Sequence, residues 1–64
     1  MDLDEIANRF SQAFPDAAFE VRQPDIDDDY HYEINVSNGP LDRDVVEQFE
    51  TDCKIAGIDV TVYD

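Results

Sequence analysis

The apolar residues of this 64-residue chain fall at two periods, and the switches between them divide it into five elements. Leu3, Ile6, Ala7, Phe10, Ala13 and Phe14 recur at three- and four-residue spacing, which predicts one face of a helix over residues 2–14. Asp2 is placed to cap that helix, with Glu5 three residues on as in a capping box. Glu5 and Arg9 form an i,i+4 pair of favourable orientation. Pro15 stops the helix, because a residue before proline is pushed out of helical geometry. Over residues 17–23 the period becomes two, with Phe19 and Val21 on one side and Glu20 and Arg22 on the other. Pro24 ends this strand, and residues 24–29 (Pro-Asp-Ile-Asp-Asp-Asp) read as a loop. A second strand over 30–37 alternates strictly: Tyr30, Tyr32, Ile34 and Val36 make an apolar face, and His31, Glu33, Asn35 and Ser37 a polar one. The two strands read as an antiparallel pair around the acidic loop.

Asn38-Gly39-Pro40 is a turn that also opens a second helix, with Pro40 at or near its first position. Its stripe of Leu41, Val45, Val46, Phe49, Cys53 and Ala56 runs to residue 56, Glu50 and Lys54 pair outside, and Gly57 is a natural C′ residue. A third strand over 58–63 alternates Ile58, Val60 and Val62 inward with Asp59, Thr61 and Tyr63 outward. All three strands have one apolar face. The expected fold is therefore α+β, a two-layer α-β-β-α-β sandwich with both helices on one face of a three-stranded sheet and the other face open. Two strand orders fit: 1-2-3, with a right-handed crossover into a parallel third strand, and 2-1-3. The first is preferred, because the second strand is the longest and most apolar. The element order is similar to a ferredoxin-like fold without its first strand, a resemblance that implies architecture and no activity.

Charge changes the picture. Seventeen acidic residues stand against three arginines and the single Lys54, for a formal net charge of −13. A chain of this size is one domain, residues 1–64, and buries little of its surface. One cysteine gives it no internal disulfide, so a homodimer or another partner is a natural source of further buried area. High charge is also a mark of disorder, but seven aromatic residues and clean periodicity argue for a fold. Salt answers the self-repulsion: the Debye length falls from about 10 Å at 0.1 M to about 3 Å at 1 M. This Asp-rich, Lys-poor composition resembles that of cytoplasmic proteins from salt-accumulating haloarchaea. The resemblance implies potassium or sodium counterions at high salt and a cytoplasmic location. The acidic start lacks the apolar core of a signal peptide, and no apolar run approaches the roughly 20 residues of a membrane span.

Asp25, Asp27, Asp28 and Asp29 form the densest carboxylate cluster, and hard cations want several converging oxygens. Asp25-x-Asp27-x-Asp29 opens like an EF-hand loop. The match then fails, with Tyr30 at the glycine position and Val36 at the position of the bidentate Glu. A solvated acidic turn is the plainer reading, and a weak divalent-cation site the sharper one. His31, the one histidine, is expected on the open sheet face near Glu33, with no pocket and no nucleophile to serve. Cys53 lies in a helical stripe as a small hydrophobe. The open face, with Arg22, His31, Glu33, Thr61 and Tyr63, is the candidate interaction surface, since tyrosine and arginine are enriched in interface cores. Tyr63 is its expected anchor, with Arg22 and His31 nearby.

No catalytic or cofactor-binding motif is present, so no catalytic residue and no cofactor are assigned. Four scattered basic residues and a charge of −13 argue against direct binding to nucleic acid. The sequence points to a small acidic interaction or regulatory module acting on a protein partner or on a second copy of itself. The alternatives are an acidic mimic of nucleic acid and a weak cation-binding protein. Mimicry would concentrate acid on one surface, whereas here it is spread over both helices, the loop and the third strand.

Overall fold

The structure is a computed structural model and describes residues 2–24, 27 and 30–64. Its elements follow the order α1 (Leu3–Ala13), β1 (Ala18–Arg22), β2 (His31–Asn38), α2 (Arg43–Ile55) and β3 (Asp59–Tyr63). The sheet has the order β1-β2-β3, with β1 antiparallel and β3 parallel to β2. The expected α+β sandwich and the preferred strand order are therefore those of the molecule.

Local chemistry sets the ends of the helices. Asp2 caps α1 by accepting the Glu5 N–H at 2.9 Å, while the Glu5 carboxylate turns to Arg9 at 3.5 Å. The second helix begins at Arg43, later than the position expected from Pro40. Asp42 is extended and accepts the Asp44 N–H at 2.9 Å, so the aspartate cap marks the start and the proline lies in the approach. Leu41 accordingly leaves the helix but still packs half-buried against the core. At the other end, Gly57 takes φ +87° and donates to Lys54 O at 3.0 Å, and Ile58 donates to Cys53 O at 2.9 Å. These two bonds make the Schellman arrangement that glycine at C′ permits. Gly39 is required for a second reason: a Cβ there would stand 2.6 Å from the Ala17 Cα, at a φ of +123°.

The core lies between the sheet and the two helices. Ile6, Phe10 and Phe14 from α1, Val46, Phe49 and Cys53 from α2, and Tyr32, Ile34 and Val60 from the strands are all buried, with Ile58 at the mouth of β3. Phe10 is its centre, with ring centroids 4.9 Å from Phe14, 4.7 Å from Phe19 and 5.3 Å from Phe49. Every buried strand side chain faces the helices, which leaves the opposite sheet face uncovered. Five expected stripe residues lie at or outside the margin, Ala13 and Ala56 at the ends of the two helical stripes among them. Leu3 and Val45 are partly exposed, and Tyr30 precedes β2 in a turn with 68% of its surface exposed. Among the described residues no helix is long and apolar enough to cross a membrane.

Candidate functional site on the open sheet face and the outer edge of β3

The pleat sends alternate side chains to opposite faces, and register decides which of them meet. On the open face Arg22, Glu33 and Thr61 form one row across the three strands, and Glu20, Asn35 and Tyr63 form the next. His31 stands opposite Asp59, with Nδ1 3.5 Å from the carboxylate. The five expected surface residues are thus on one face, but not in one cluster. Tyr63 neighbours Asn35 and Glu20, whereas His31 lies four residues back along β2, about 13 Å away at 3.3 Å per residue. Tyr63 is 47% exposed. The partner of His31 is Asp59 rather than Glu33, a contact that needs the parallel register of β3 to be seen.

The outer edge of β3 carries a second feature. Asp59 donates its N–H to Tyr30 O at 2.7 Å, which turns the main chain of Asp59, Thr61 and Tyr63 toward β2. Val60 and Val62 consequently direct theirs outward. The Val62 N–H is met by the Glu50 carboxylate from α2 at 3.2 Å. Glu50 was expected to pair with Lys54; the edge N–H takes it instead, because an unpaired backbone donor is costly to leave unmet. Between α2 and this edge runs a groove of about 390 Å³, lined by Glu47, Glu50, Thr51, Lys54, Asp59, Val60 and Thr61.

Asp25, Asp28 and Asp29 of the candidate cation loop lie outside the described residues; Asp27 is exposed. Among the described residues no group of three or more His, Cys, Asp or Glu side chains is placed to hold a metal ion.

Cys53 is 2% exposed and faces a hollow of about 360 Å³ between the helices, shared with Arg9, Val45 and Asp52. Burial pushes its thiol above the usual 9.0. Arg9 works against that rise, and Asp52 and Glu50 add to it. The folded state therefore prefers the neutral thiol. Its contribution to stability is complete below pH 9.0, where the unfolded thiol is also protonated, and is lost as pH rises beyond that value. Alkylation by iodoacetamide at pH 8 should be at least about tenfold slower in the folded protein than in the urea-unfolded chain, since the thiolate is the nucleophile. Equal rates would show that the thiol is reachable.

No protein-family model, no curated protein and no solved structure matches this chain.

Proposed function

We propose that this protein is a salt-adapted docking module that works by binding another protein through its uncovered sheet face. The observation that carries this reading is the one-sided packing. Both helices cover the same side of the sheet, and the other side presents a continuous row of Arg22, Glu33 and Thr61 beside a half-exposed Tyr63. Burying that face would add the area that a small core lacks. Arg22 and Tyr63 are the residue types enriched in interface cores, and Glu20, Glu33 and Asp59 would serve as a charged rim around them. The single histidine, held by one exposed carboxylate on an open surface, fits a contact residue better than a general base, which works in a pocket beside the proton it moves. The charge of −13 favours a partner with basic surface and keeps the module itself dissolved in molar salt.

Affinity capture from a native lysate held in 2 M KCl tests this. Tyr63→Ala should cost about 2 kcal/mol of binding, a loss of roughly thirtyfold in affinity, as interface anchors do, with the melting temperature nearly unchanged. Sedimentation at micromolar to millimolar protein separates self-association from binding to a different chain. Recovery of the same partners by wild type and Tyr63→Ala, together with a wild type that stays monomeric, would overturn the reading.

A further inference from the structure

We propose that the groove between α2 and the outer edge of β3 takes a short extended segment, rich in lysine or arginine, from a partner protein, bound as an added strand. The proposal rests on the docking reading above and moves the contact from the sheet face to its edge.

Main-chain geometry supplies the first argument. Along the outer edge of β3 the Ile58 N–H is closed by Cys53 O and the Val62 N–H by the Glu50 carboxylate. Val60 lies between these two closures; strand alternation from the Asp59–Tyr30 bond directs its N–H and C=O to the outer side, and the residue, only 4% exposed, lies at the floor of the groove. In an antiparallel ladder one residue can exchange both of its bonds with one residue opposite. A guest strand can therefore seat a single residue on Val60 and leave the Glu50 bond in place. That arrangement limits the paired segment to a few residues.

Charge supplies the second. The side chains of an added strand alternate between two sides. One side faces α2, where Glu47 and Glu50 stand with Lys54; the other faces the open surface, where Asp59 is 67% exposed. Three carboxylates against one ammonium line the groove, and both sides of the guest meet acid. A cationic guest is thus matched at successive positions, not only at alternate ones. A second copy of this chain would set its own Asp59 and a further charge of −13 against the same acids. At 1 M salt, with a Debye length of about 3 Å, contact-range pairs survive while long-range attraction does not. The guest must then be held by close pairing and main-chain bonds together.

The probe is the peptide acetyl-Lys-Lys-Val-Lys-Lys-amide, which carries lysine on both sides of an added strand and a valine at its centre, titrated into ¹⁵N-labelled protein in 2 M KCl. The Val60 and Thr61 amides should shift most, and the Val60 N–H should gain protection from hydrogen exchange. Glu47→Gln combined with Asp59→Asn should weaken binding at least about tenfold, and so should methylation of the peptide's central valine nitrogen. The glutamate counterpart of the peptide should not bind. Equal affinity of the methylated or the glutamate peptide, shifts centred away from β3, or no binding at millimolar peptide would each overturn the proposal. The two readings fail separately. Loss of partner capture in Tyr63→Ala with no peptide binding leaves face docking standing and removes the edge. Peptide binding as expected, with capture unaffected by Tyr63→Ala, leaves the edge and removes the face.

Discussion

Phe10→Ala is expected to leave the chain without a cooperative fold, even in molar salt. Phe10 is fully buried and touches the rings of Phe14, Phe19 and Phe49, so it joins α1, β1 and α2 at one point. Truncating a core phenylalanine to alanine costs about 3–5 kcal/mol, from lost transfer energy and the cavity left behind. At roughly 0.05–0.15 kcal/mol per residue, a chain of 64 residues has only about 3–10 kcal/mol of stability in total. The loss is therefore comparable with the whole. Circular dichroism in 2 M KCl should show a melt that is absent or lowered by well over 15 °C, since 1 kcal/mol moves the midpoint by about 4–8 °C at this size. Ile55→Ala is the control. Ile55 is 81% exposed at the end of α2, and its removal should change stability by less than about 0.5 kcal/mol. Similar melts for the two variants would mean that the aromatic cluster is not what holds the layers together.

The second large effect is that of salt. Seventeen carboxylates and four cations share a surface of 4280 Å². The ion pairs among the described residues include Arg9–Glu5 at 3.5 Å, His31–Asp59 at 3.5 Å and Arg43–Asp64 at 3.8 Å, each open to solvent on at least one side. Exposed pairs of this kind contribute about 0–1 kcal/mol each, too little to offset the repulsion of the remaining acids. Lowering the salt from 2 M to 20 mM lengthens the Debye screen from a few ångströms to tens. The melting temperature should fall by more than about 10 °C, which corresponds to roughly 2 kcal/mol at this size. Sodium chloride and potassium chloride should act alike, because screening depends on ionic strength. Equal midpoints at 20 mM and 2 M would overturn the salt-adapted reading.

Local periodicity and punctuation by themselves determined the five elements, their order and which face of each is buried. Phe10, Ile34 and Val60 lie on those faces because spacings of 3.6 and 2 are imposed by the backbone of any helix or strand. Asp2 and Gly57 were legible as caps for the same reason: they act on groups no more than five residues away in the chain. The later start of α2 was not, because Pro40 and Asp42 are both acceptable openings, and only the extended conformation at Asp42 chooses between them. The candidate site was legible as a list of residues on one face and not as an arrangement. Which side chain on β3 meets which on β2 follows from a parallel register set by a crossover through α2, and no local signal encodes it. That register puts Asp59 beside His31, keeps Tyr63 away from it, and turns Val60 and Val62 outward. Tertiary structure alone decided that Glu50 leaves Lys54 for the edge of β3. A carboxylate on a helix surface gains a little from an exposed cation four residues on, and more from a backbone N–H that has no other partner.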